Sequence, residues 1–152
     1  MEKTIKTVFC VCDTPTTSGR MYDKESMAKA LQELMPAVAS GTLLGELDHP
    51  KDFDASLEES LYVKLSNASH IVKSVEMDED GVVSGEIKLL GTPAGKIVEN
   101  MLADGMKLYV RPCTLGVVNG DVYETDCIVS FDITPKPLFE KDGLELRCPS
   151  EC

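Results

Sequence analysis

The chain has 152 residues, enough for one domain, and its 43% hydrophobic content can build a core without any tryptophan. Its formal net charge of -11 argues against a surface that grips DNA or RNA, because phosphate binding needs clustered Lys and Arg. No apolar run reaches the roughly 20 residues that span a bilayer, and Met1–Val11 lacks a signal peptide's long apolar centre and small-residue cleavage site. The expectation is a protein made and kept inside a cell, or inside something assembled there.

Lys3–Cys12 is a β-rich run and an expected first strand, with Cys10 and Cys12 on one face. Asp13–Gly19 has the composition of a polar loop. Lys24–Met35 places Met27, Leu31, Leu34 and Met35 at helical spacing, with Asp23 as N-cap and Pro36 expected to end the helix. Thr42–Leu47 is a short apolar segment leading into His49-Pro50, and the acidic Lys51–Glu59 reads as a loop facing water. Leu61–Val75 alternates as a long strand broken at Ser66-Asn67. Asp78–Gly81 is a hairpin turn, and Val82–Leu90 returns as a strand. Thr92 suits an N-cap and Pro93 the first helical position, with Ile97, Val98, Met101 and Leu102 as the expected buried stripe and Gly105 as C-cap. Leu108–Val118 is a strand interrupted by Pro112. Asn119-Gly120 signals a type I′ turn, and Val122–Ile133 is the returning strand. The expected architecture is an α+β single domain, a mostly antiparallel sheet, curled or closed, with two principal helices. It is expected over residues 1–137, followed by an extended, surface-bound tail at 138–152.

The cysteines are Cys10, Cys12, Cys113, Cys127, Cys148 and Cys152. None forms the C-x-x-C knuckles of a zinc site, and Cys10-Val-Cys12 has the wrong spacing for a thioredoxin-type pair, so neither a metal nor a cofactor is expected. Free thiols are one reading; cross-linking of Cys148 and Cys152 to a neighbouring subunit in an extracellular particle is the other. The two histidines are the candidate site residues. His49 lies between Asp48 and Pro50, and reads either as a base poised near neutrality or as a ring that fills a turn. His70 reads as a strand histidine satisfied by a carbonyl or by His49. Glu46 and Asp48 either steady the imidazole or are ordinary turn acids.

Three blocks in order, Gly45-Glu46-Leu47-Asp48-His49-Pro50, Ser69-His70-Ile71-Val72 and Gly85–Lys96, resemble the prohead proteases of tailed bacteriophages, which share the herpesvirus assemblin fold. Ser18–Tyr22 and Val129–Ile133 followed by Pro135 extend the likeness over most of the chain. The resemblance implies a fold used by serine proteases that cut scaffold and capsid proteins, with His49 as general base and His70 as its supporting group. It also implies a serine in the strand after the second helix. There the sequence departs: registering Leu108–Gly116 on Leu115-Gly116 puts Arg111 at the nucleophile position, and a guanidinium stays protonated and cannot attack a carbonyl. Cys113 is the candidate replacement. It lies two residues further on the same strand face, roughly 6.5 Å away, unless Pro112 introduces a bulge. Thr114 points to the other face. Arg111 is expected to pair with Glu46 or Asp48, or else to face a partner.

The leading functional reading is a phage-head protein that has lost proteolysis and binds the major capsid protein or other head proteins, as a decoration, cement or minor head protein. It would sit in the virion or prohead, assembled in the host cytoplasm, with no nucleic acid or membrane partner and with homo-oligomerisation left open. The alternative is an active maturation protease using His49 with Cys113, or with a misaligned serine such as Ser130. A third is an unrelated acidic binding domain of the bacterial cell.

Overall fold

Seven strands and two helices appear in the computed structural model, which describes residues 4–48, 63–139, 141 and 143–146. In chain order they are β1 (Thr4–Val11), β2 (Met21–Tyr22), α1 (Lys24–Ser40), β3 (Leu44–Glu46), β4 (Ala68–Met77), β5 (Val82–Leu89), α2 (Pro93–Ala103), β6 (Tyr109–Asn119) and β7 (Val122–Thr134). A 3-10 turn at Leu65–Asn67 leads into β4 where the sequence breaks. One sheet has the order β1-β5-β4-β3, the other β2-β7-β6. All pairings are antiparallel except the short β2–β7 pair. A parallel bridge from Leu47 to Ile133 ties β3 to β7, and β6 lies against β1, so the two sheets wrap around one core. This is the α+β, mostly antiparallel, curled architecture that the alternation of the sequence implies.

The core is centred on Phe9 of β1 and Phe131 of β7, whose rings stack at 4.6 Å and join one sheet to the other. Val72, Val83 and Ile87 line it from β4 and β5, and Met27 and Val98 close it from the two helices. The Asp23 carboxylate caps α1 by accepting from the Ser26 amide, as its position suggests. Helix α1, however, does not stop at Pro36. It runs on to Ser40, and Gly41 ends it at a left-handed φ of 72°. Proline removes one intrahelical bond to Gln32, but the extra turn buries Val38 and lets Thr42 donate to the Ala37 carbonyl.

Helix α2 keeps its Thr92 cap and its proline at the start. Its buried face is Ala94, Val98 and Leu102, one residue every four, and Ile97 is 44% exposed. The expected stripe through Ile97 is therefore displaced, because contact with β4 and β5 is made by the small side of the helix. Pro112 does not interrupt β6 either. It pairs opposite Phe131, and β6 is an edge strand of its sheet, where a missing N–H is tolerated. The β6–β7 hairpin turns through Gly120 and Asp121, with positive φ at Gly120 but not at Asp121. It is thus not the type I′ turn expected, which needs positive φ at both.

Among its described residues the segment after Pro137 forms no helix or strand, but it is not merely surface-bound. Phe139 and Leu146 are both 4% exposed, and the Leu146 amide donates to the Leu108 carbonyl. Burial of these two side chains ties the segment to the body of the fold.

Candidate functional site

His70 sits at the start of β4, fully enclosed. Nε2 lies 2.7 Å from the Phe131 carbonyl oxygen of β7, and Nδ1 lies 2.7 Å from the Ser69 hydroxyl. A carbonyl only accepts, so Nε2 carries the proton and the Ser69 hydroxyl donates to Nδ1. Burial pushes the pKa of the ring below the ordinary 6.5, while the Phe131 carbonyl and the Asp132 charge pull the other way. The ring is thus a neutral cross-brace between the two sheets, satisfied by a carbonyl.

The three motif blocks converge on this brace. Gly45 of β3 pairs with His70, and a Cβ there would lie 2.0 Å from Nε2 and 2.3 Å from the Phe131 oxygen. A Cβ on Gly95 of α2 would lie 2.0 Å from the Leu90 oxygen and 2.9 Å from the Ser69 oxygen. The Thr92 hydroxyl donates to the Ala68 carbonyl at 2.5 Å while accepting the Gly95 amide at 3.1 Å. Gly45 and Gly95 are therefore close-approach points beside Ser69-His70.

Beside the brace lies a buried carboxylate that sequence reasoning left unassigned. Asp132 has no exposed surface, and its Oδ1 accepts from the Glu46 amide at 3.0 Å and from the Ser130 hydroxyl at 2.8 Å. Glu46 is nearly enclosed as well. Burial raises the pKa of its carboxyl, the Asn67 side chain opposes that, and the Asp132 charge adds to it. The Asp48 amide donates to the Ile133 carbonyl with φ of 64°, so β3 leaves the site held against β7. His49, the candidate base, lies outside the described residues, as do the Lys51–Glu59 loop, Cys148 and Cys152. The described cysteines Cys10, Cys12, Cys113 and Cys127 are free thiols.

On β6, Arg111 stands opposite Asp132 and Cys113 opposite Ser130. The ladder shifts register immediately after Cys113, so the irregularity follows the cysteine while Pro112 itself is regularly paired. Among the described residues no ion pair joins Arg111 to Glu46 or Asp48, contrary to expectation. Glu46 is already engaged by Asn67, at 3.4 Å. Arg111 instead lines an open cleft with Tyr22 and Tyr123, and its Nε is buried without a partner. Burial and the nearby Cys10 push the Tyr22 phenol well above its ordinary value, and the Arg111 charge opposes them.

This wrapped pair of sheets matches a solved structure. The chain superposes on the capsid assembly protease gp21 of bacteriophage T4 with a TM-score of 0.66, over 86% of this chain and 79% of that chain, at 17% identity. The fold is that of a capsid assembly protease. No protein-family model and no curated protein matches the sequence. On this fold the described residues of the blocks that carried the resemblance lie on β3, β4, β5 and the start of α2. Ser130 and Asp132 had a usable signal, a polar pair two apart in the otherwise apolar run Cys127–Ile133. Ser69 had none, since a serine beside a histidine is common.

The neutral brace has a pH consequence. A lowered folded pKa means that the unfolded chain takes up the proton first as pH falls below about 6.5. Stability is present above that pH and is lost below it, at up to about 1.4 kcal/mol per pH unit. The raised Glu46 carboxyl works with the opposite sign, losing stability as pH rises past its unfolded value of about 4.5. Urea midpoints are expected to fall between pH 7.5 and 5.5, while the His70 ring resonances stay unprotonated in the folded protein. A His70 ring that titrated near 6.5 in the native state would contradict the assignment.

Proposed function

We propose that this chain is a phage-head-associated protein on the protease fold that binds the capsid shell and no longer cuts protein, acting as a decoration, cement or minor head protein. Arg111 carries the reading. It occupies the position where the resemblance calls for a nucleophile, and its guanidinium has no lone pair to attack with. The neighbouring alcohols offer little help, because Ser130 and Ser69 are enclosed and already bonded to Asp132 and His70. A solved protein of this fold is named for capsid assembly, which supports head proteins as partners. A net charge of -11 suits docking on a basic patch of such a shell. Quantitative mass spectrometry of purified particles is expected to find the protein at many copies per virion or prohead. Its absence from both would overturn the proposal.

One observation favours a second reading, an active maturation protease with His49 as base, His70 in support and Cys113 as nucleophile. Cys113 is only partly buried and lies where the ladder shifts register, so it has some freedom that Ser130 lacks. In that case His49→Ala abolishes scaffold cleavage and self-cleavage. An unchanged cleavage pattern in the variant would dismiss it.

A further inference from the structure

A cleft of about 210 Å³ opens between β2, β6 and β7. Two arginines line it, Arg20 from the loop before β2 and Arg111 from β6. Arg20 is exposed, whereas the Nε of Arg111 is buried with no hydrogen-bond partner. A buried charged donor left unmade is costly, so such a group is normally matched by an acceptor. The Tyr123 oxygen already accepts from the Thr114 hydroxyl at 3.0 Å, so its own O–H remains available to donate. Tyr22, set edge-on to Tyr123 at 5.4 Å, adds a second phenol to the lining. Among the described residues no carboxylate lines the cleft. In a chain of net charge -11, this is a small cationic spot ringed by donors, with an apolar wall at Pro112 and Leu138.

The geometry points to a binding site for one small oxyanion group, a carboxylate or phosphate, received by the Arg111 guanidinium with Arg20 at the mouth and the Tyr123 hydroxyl as a further donor. The cleft takes a single group rather than a polyanion, because the chain's net charge of -11 repels further negative charge. Arginine suits this task better than lysine, because its planar fork meets two oxygens at once and its Nε–H is part of that fork. The site stands or falls independently of whether the protein binds capsids.

The test is calorimetric titration of the full-length chain with inorganic phosphate and, separately, with N-acetylglutamate amide, at matched ionic strength so that general screening is constant. Saturable binding of at least one probe is expected, weakened about tenfold by Arg111→Lys, which keeps the charge and removes the fork. Arg20→Gln, at an exposed position that folding does not need, is expected to weaken binding as well. Tighter binding of phosphate assigns the group to a free or esterified phosphate, and tighter binding of the glutamate probe to an acidic side chain of a protein. No saturable binding of either probe, or binding unchanged in Arg20→Gln and Arg111→Lys, overturns the proposal. If Arg111→Lys does not fold, Arg20→Gln and Tyr123→Phe decide it.

Discussion

Gly45→Ala is expected to destabilise the protein by about 3 kcal/mol or more. The added Cβ would meet the His70 Nε2 at 2.0 Å and the Phe131 oxygen at 2.3 Å, and neither is the loose end of a flexible side chain. One is a ring with no exposed surface, held at both nitrogens; the other is backbone of the central strand β7. Relief requires either β3 to lift away, which breaks the Glu46–Asp132 bond, or His70 and the Phe131 carbonyl to move apart, which breaks theirs. Overpacking of a filled core alone costs about 1–3 kcal/mol, and each buried donor left unmade adds about 1–3 kcal/mol. Urea denaturation followed by circular dichroism measures the loss. A midpoint within error of the wild type would show that β3 does not pass over the histidine as described.

Asp132→Ala comes second, at about 2–4 kcal/mol. It leaves the Glu46 amide and the Ser130 hydroxyl without their acceptor in a place with no exposed surface. The comparison that isolates the cause is Ser130→Ala, which removes one donor and keeps the carboxylate bonded to Glu46. That variant is expected to lose only about 1 kcal/mol. The two substitutions share one network, so the double variant is expected to be less destabilised than the sum of the singles. Equal losses for both single variants would mean that Asp132 is not the hub of the junction.

These two positions also mark how far the sequence could be read. Alternation and turn chemistry placed all the long strands and both helices, because backbone periodicity and capping are local properties. The Asp23 and Thr92 caps and the hairpin at Asp78–Gly81 were recognised from neighbours in the chain. Pro36 misled because its local penalty was real, about 3 kcal/mol in a helix interior, while the gain that outweighs it, burial of Val38 against the core, is not local. Ile97 misled for a related reason. Hydrophobicity marks a stripe, but which side of a helix meets the sheet depends on how close the sheet lies, and Ala94 and Gly95 let it lie closer.

The candidate site was legible as a set of blocks and illegible as an arrangement. The sequence by itself pointed to the fold, through the glycines, threonine and histidine of those blocks taken in order, and the superposition on a capsid assembly protease bears that fold out. Only the tertiary structure decided what they do. It turned Gly45 and Gly95 into close-approach points around a neutral His70, and it revealed Asp132 as the acceptor that joins β3 to β7. It also placed Arg111, expected to pair with Glu46 or Asp48 or else to face a partner, in a cleft shared with Tyr22. The physical reason is range. A cap or a turn is made by residues a few positions apart, whereas the Glu46–Asp132 bond spans 86 residues and the His70–Phe131 bond spans 61, and no local pattern encodes which buried donor will meet which acceptor.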